Sequence, residues 1–93
     1  KENSAVINQA LNFGKEKIMS GDFESKESLI KDMKAMIETK SADFSLQYIA
    51  ITDNIMLKEI EELKKFKGEL LISLAVYCGK TRLIDNIIFK KSN

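Results

Sequence analysis

The stretch "YCGKTRLIDN", residues 77–86, can be read in two ways that lead to different folds. Gly79-Lys80-Thr81 matches the tail of a phosphate-gripping loop. Such a loop needs a glycine five places before its Gly-Lys pair, so that the backbone can curl and aim its N–H groups at phosphate. Leu74 stands there. The loop must also open a helix whose N-terminal dipole supports the anion, yet Arg82 to Phe89 carries Leu, Ile, Ile, Ile and Phe among few polar residues and reads as a strand. The stretch therefore predicts a tight Gly79-Lys80 turn between two antiparallel strands, "ELLISLAVYCG" before it and "TRLIDNIIFK" after it.

Working outward, the first of these strands is nearly all apolar. A strand apolar on both faces lies centrally and is covered on both sides, so one face is expected against the two helices and the other against something else. Upstream, "FSLQYIAIT" has a period near two and is rich in aromatic and β-branched residues, which predicts a strand stopping at Asp53-Asn54. Between the strands, Asp53 or Asn54 can cap a short helix or turn carrying Ile55, Leu57, Ile60, Leu63 and Phe66. It closes at Gly68 and is expected to lie over the sheet edge. Lys64, Lys65 and Lys67 sit beside Glu59, Glu61 and Glu62, so this run reads as a solvated face in preference to a phosphate patch.

The first forty residues have a different period. Ile7, Ala10, Leu11, Gly14 and Ile18 fall on one helical face flanked by Val6 and Phe13, predicting a helix over about residues 3–19. Gly21 supplies a left-handed exit. Ser25 is an N-cap candidate with Glu27 in the first turn, and Leu29, Ile30, Met33, Met36 and Ile37 form the stripe of a second helix ending near Lys40. Met at this spacing reads as core filling, not as a soft ligand surface. The expected fold is α+β: a two-layer sandwich of two N-terminal helices packed on a three-stranded antiparallel sheet.

Composition narrows the function. The chain has 93 residues, 44% of them hydrophobic, which is one domain with a modest core. Fifteen basic and 14 acidic residues leave a net charge of +1, so there is no strong field for nucleic acid. There is no His and no Trp, which removes histidine acid–base chemistry. The single Cys78 lies in an apolar run with no His to activate it and reads as a small buried apolar residue. One unpaired thiol fits a reducing cytoplasm. No stretch approaches the roughly 20 apolar residues of a membrane helix, so no membrane partner is expected. The chain opens at Lys1 without Met, the expectation being a fragment or processed product.

The densest polar cluster lies in the hairpin, where Thr81, Arg82, Asp85 and Asn86 adjoin an apolar strand. Arg82 and Asp85 are three residues apart, on opposite faces of a flat strand, so each is expected to find a partner elsewhere. A structural network tying the hairpin to the connector or helix layer is preferred to direct ligand contact.

These residues also carry a family resemblance. Gly79-Lys80-Thr81-Arg82-Leu83-Ile84-Asp85-Asn86, followed by Ile87-Ile88, resembles the closing signature of pantothenate synthetase, or pantoate-beta-alanine ligase. "LQYIAITDNIMLKEIEEL" is similar to the family's strand with a central Tyr that ends in Asp, followed by a Leu and an acidic segment. Tyr48, Asp53, Leu57, Glu62 and Leu63 fall in register. "ALNFGKEKIMSGDF" resembles the helix that follows the family's ATP-contacting Ser-Ser-Arg-Asn stretch. The chain departs from the pattern at Gln47 and Ala50, where acidic residues are frequent, and at Asn54, where Pro is common.

The resemblance implies the C-terminal lid domain of a two-domain, ATP- and Mg²⁺-dependent ligase, which adenylates pantoate and passes the acyl group to β-alanine. Pantothenate, AMP and pyrophosphate are the products, on the route to coenzyme A. It implies the chain's own N-terminal domain as partner, a homodimeric full-length enzyme in the cytoplasm, and a monomeric, inactive fragment with no cofactor bound. The unpaired face of the apolar strand is then free to meet that missing domain. The family's His-containing and Ser-Ser-Arg-Asn motifs are absent from the chain, so no catalytic, cofactor-binding or metal residue is assigned. Gly79, Lys80, Thr81, Arg82, Asp85 and Asn86 stand as structural or hinge candidates. An autonomous α+β protein-interaction module is the alternative, and a nucleotide or nucleic-acid binder resting on "GKT" and the lysines a weaker third.

Overall fold

A computed structural model describes residues 2–93. The order is α1 (Glu2–Ser20), α2 (Lys26–Glu38), β1 (Phe44–Asp53), β2 (Gly68–Cys78) and β3 (Thr81–Lys91). The strands form one antiparallel sheet in the order β1-β2-β3, with both helices on one face. This is the two-layer α+β sandwich expected from the sequence.

Helix boundaries follow from local chemistry. α1 exits through Gly21 at φ 77, where Asp22 N–H donates to Lys17 O and Gly21 N–H to Ile18 O, closing the orphan carbonyls in a Schellman arrangement. α2 starts at Ser25, whose hydroxyl accepts from Ser28 N–H at 3.1 Å while Ser28 Oγ accepts from Ser25 N–H at 3.2 Å. This reciprocal box uses Ser28 where Glu or Gln is usual. The helix ends two residues before the expected Lys40, with Thr39 as its C-cap.

The predicted apolar faces form the core. Ile7, Ala10, Leu11, Gly14 and Ile18 of α1 are all buried, as are Leu29, Met33 and Ile37 of α2, with Met36 half-buried. They meet Leu70, Ile72, Leu74 and Val76 of β2, together with Phe44 and Ile51 of β1 and Phe89 of β3. Each of the Leu, Ile, Val, Met and Phe side chains among them contributes roughly 1.5–3 kcal/mol on removal from water. Gly14 sets the spacing of the layers: a Cβ there would lie 2.8 Å from Met33 Sδ and 3.3 Å from Ile72 Cδ1.

The outer face of the sheet carries partly exposed side chains. No second layer of the described residues covers β2: Leu71 and Ser73 are half-buried and Tyr77 is exposed. Ala75 alone is buried there, because the register sets it between Tyr48 and Ile84, whose side chains shield so small a residue. Cys78, read as buried, is half-buried at the strand end beside the turn.

The connector contains no helix; it is a series of turns and does lie over the sheet edge. Thr52 bridges Glu59, Asp53 N–H donates to Lys58 O at 2.7 Å, and Ile60 N–H donates to Ile51 O at 3.0 Å. Ile60 and Leu63 are buried as core residues, but Ile55 and Leu57 face solvent.

Candidate functional site

The β2–β3 hairpin is closed by Gly79 and Lys80. Gly79 has φ 61 and Lys80 no positive φ, the pattern of a type II′ turn, which matches the right-handed twist of the strands. Cys78 pairs with Thr81 across it, and Gly79 N–H donates to Asp43 O at 3.0 Å, fastening the turn to the start of β1. Gly79-Lys80-Thr81 is thus the tight strand turn expected from the sequence, with β3 and no helix after it.

Arg82 and Asp85 lie on opposite faces of β3, in register with Tyr77 and Leu74 respectively. They do not pair. Arg82 Nε donates to Gln47 Oε1 at 2.8 Å. Gln47 is the extra residue of a bulge in β1, between Leu46 and Tyr48. The bond therefore crosses β2 and ties the two outer strands together, where the sequence pointed instead to the connector or helix layer. The bulge makes the difference, because it turns Gln47 toward the face that Arg82 occupies. Asp85 Oδ1 accepts from Asn86 N–H at 2.8 Å, on the open edge of the sheet. Lys80, Thr81 and Asn86 are exposed. The six candidates are thus adjacent along one hairpin but do not converge on a common point.

Two lysines hold the connector in place. Lys26, 8% exposed at the start of α2, reaches Glu59 Oε2 at 2.8 Å. Lys91, 2% exposed at the end of β3, donates to the carbonyls of Phe66 (2.8 Å), Asn93 (2.9 Å) and Lys64 (3.1 Å). Three carbonyl dipoles use all three donors of the ammonium. Lost solvation, then the charges of Lys67 and Lys64, lower the Lys91 pKa below the usual lysine range. Lys64 Nζ in turn lies 4.4 Å from the centre of the Phe23 ring and donates to Gly21 O at 2.8 Å. The charged run is therefore partly structural: Lys64 binds the connector to the α1–α2 link. The sequence gives little sign of Lys91's role, because a terminal lysine reads as solvated until the carbonyls converge on it.

Among the described residues no three His, Cys, Asp or Glu side chains come together as metal ligands, and no helix is long and apolar enough to cross a membrane. A shallow groove of about 360 Å³ lies on the connector, lined by Met56, Ile60 and Phe66 with Asp53, Glu59, Glu61, Glu62, Lys58 and Lys65 around it. The molecule is an α+β platform in which Lys26, Lys64, Arg82 and Lys91 brace its own strands and loops.

Comparison with known proteins supplies the family of this α+β domain. The family described as Pantoate-beta-alanine ligase matches residues 1–88. Pantothenate synthetase of Clostridium botulinum (strain Langeland, type F) is 32% identical over 90 residues, covering 97% of this chain and 30% of the relative. That of Clostridium novyi is 38% identical over 85 residues, 91% of this chain and 28% of the relative. That of Moorella thermoacetica is 32% identical over 93 residues, again 30% of its length. The chain belongs to the pantoate-beta-alanine ligase family, and it spans about 30% of the curated relatives it matches.

Proposed function

We propose that this chain is the lid domain of an ATP-dependent, AMP-forming ligase that joins pantoate to β-alanine in the cytoplasm, and that it contributes to catalysis only when joined to the rest of the ligase chain. The observation that carries this reading is the family match over residues 1–88, on a domain whose polar groups are engaged with one another. An acyl adenylate is readily hydrolysed, so a rigid cap that excludes water from it favours attack by the amine over attack by water. Such a cap needs a fixed shape more than reactive groups.

The ATP and Mg²⁺ that the family implies have no donor set here. Gly79-Lys80-Thr81 lies in a strand turn, and no carboxylates group as ligands among the described residues. No step of the chemistry is therefore derived on this chain. Its part is to close and position, with Gly79, Lys80, Thr81, Arg82, Asp85 and Asn86 stiffening the hairpin or its hinge. The nucleotide-binding domain, and with it the homodimer contact, is assigned to the remaining segment.

The test is direct. The full-length protein should release AMP and pyrophosphate from ATP, pantoate and β-alanine with stoichiometric pantothenate, and this chain alone should release none. AMP release by the isolated chain, or none by the full-length protein, would reject the reading. The second reading, an autonomous interaction module, is favoured by the exposed apolar side chains Tyr48, Ile84 and Ile88 on the outer sheet face. It requires a specific complex in which the full-length protein has no ligase activity.

A further inference from the structure

The turn after β1 holds three consecutive large apolar side chains in water. Ile55, Met56 and Leu57 are 69%, 63% and 79% exposed. Their backbone is firmly fixed. Asp53 Oδ1 accepts from Ile55 N–H at 2.9 Å and Met56 N–H at 3.0 Å, and Leu57 N–H donates to Asp53 O at 2.8 Å. Asn54 anchors the turn to β2, its N–H donating to Glu69 O at 3.0 Å and its Nδ2 to Glu69 Oε2 at 2.8 Å. Leu57 is held at φ 61, a left-handed conformation costly for a residue with a branched side chain, and it is the one non-glycine residue with positive φ among those described.

A loose loop would let Ile55 and Leu57 fold back onto the adjoining groove, which Met56, Ile60 and Phe66 line. This turn instead holds them outward, so little ordering entropy remains to be lost when a partner covers them. The outer sheet face is a weaker candidate, because Thr52, Ser73 and Asn86 interleave its apolar residues.

We infer that Ile55, Met56 and Leu57 form the knob by which this domain seats on the remaining segment of the ligase chain; this rests on the lid reading. That occupant follows from size: the matched region makes up only 30% of the relatives, so a covering segment more than twice as long accompanies this domain in each of them. The charge around the knob adds a requirement. Asp53, Glu59, Glu61 and Glu62 outnumber Lys58 and Lys65 on the groove, so the seat should be apolar at its centre and basic at its rim.

Hydroxyl-radical footprinting read by mass spectrometry tests this on the full-length protein and on the isolated chain, with pantothenate formation assayed on the same full-length sample. Modification of residues 55–57 should fall roughly tenfold in the full-length protein, because exposed side chains become the buried centre of an interface, while Ile84 and Ile88 keep their rates. Equal modification of residues 55–57 in both samples overturns the knob, and so does protection confined to Ile84 and Ile88. Turnover reads the ligase role separately. Protection without pantothenate formation upholds the docking surface and rejects the ligase reading, whereas turnover without protection does the reverse.

Discussion

Arg82 on one edge strand and Gln47 in the bulge of the other are joined by a 2.8 Å hydrogen bond that passes over the central strand. Both side chains are exposed, so the bond is a modest contributor to stability, and Arg82→Ala should cost no more than about 1 kcal/mol. Gln47→Glu places a carboxylate opposite the guanidinium and should raise stability by roughly 0.2–1 kcal/mol, a gain that fades with added salt. Urea melts of the two variants at low and high salt check this. A salt-independent Gln47→Glu effect would mean that the carboxylate does not face Arg82.

Gly14 allows α1 to approach α2, because a Cβ there would meet Met33 Sδ at 2.8 Å. Gly14→Ala gains up to about 1 kcal/mol of helix propensity but overpacks the site by roughly 1–3 kcal/mol, for a net loss. Met33→Ala alone should cost roughly 2–5 kcal/mol by opening a cavity. The double variant should be more stable than the sum of the two predicts, by about 1 kcal/mol, since the new methyl enters the vacated space. Strict additivity in denaturant melts would contradict the contact.

Lys91 gives the fold a defined response to alkaline pH. Its proton is held less tightly in the folded chain than in the unfolded one, chiefly because burial removes solvation, with Lys67 and Lys64 adding repulsion. Between the lowered folded value and the ordinary lysine range the unfolded chain therefore binds more protons, and this residue's contribution to stability rises with pH. Below that window both states are charged and the cost of burying the ammonium is fully present. Stability of the native sequence relative to Lys91→Met, measured from neutral to alkaline pH, should move in favour of Lys91 through the window. A flat or falling difference would show that burial does not lower the affinity for the proton.

Leu57 separates stability from use. Its left-handed backbone carries a strain that Asn tolerates better, and its exposed side chain gives up little burial when replaced. Leu57→Asn should raise the stability of the isolated chain by roughly 0.5–1 kcal/mol. In the full-length protein the same substitution should lower turnover, because the knob loses an apolar contact. Thermal melts of the chain and turnover of the full protein measure the two effects.

Much of the fold was legible because it follows from period and capping. Ile7 to Ile18 announces a helix face, Ser25 and Gly21 mark helix ends, and Gly79-Lys80 between two apolar runs is a hairpin. The connector was legible only as a break in pattern. Ile55, Leu57, Ile60 and Leu63 carry similar hydrophobicity in the sequence, yet two are buried and two stand in water. What distinguishes them is the Asp53 carboxylate gripping the N–H groups of Ile55 and Met56, a choice made by tertiary bonds to β2. Asp53 and Asn54 as turn formers were visible; the direction in which they aim Ile55 was not. Lys91 was hidden for the same reason, since its three carbonyl partners come from the connector and the C-terminus. The Arg82 partner depended on a bulge that alternation alone does not reveal.

The two borders of the sheet are finished differently, and this limits how copies of the chain can join. Along β1, Leu46 N–H donates to Glu38 Oε2, Ile51 O accepts from Ile60 and Asp53 N–H donates to Lys58 O, so an incoming strand finds those groups taken. Along β3 the Asp85 carboxylate occupies the Asn86 N–H midway along an otherwise open border. A second copy therefore meets more hindrance at the two ends of β1 than along β3, and β3 is the border through which two copies would pair most readily. In a crowded pool of this domain those occupied β1 groups work against edge-to-edge growth of the sheet from copy to copy.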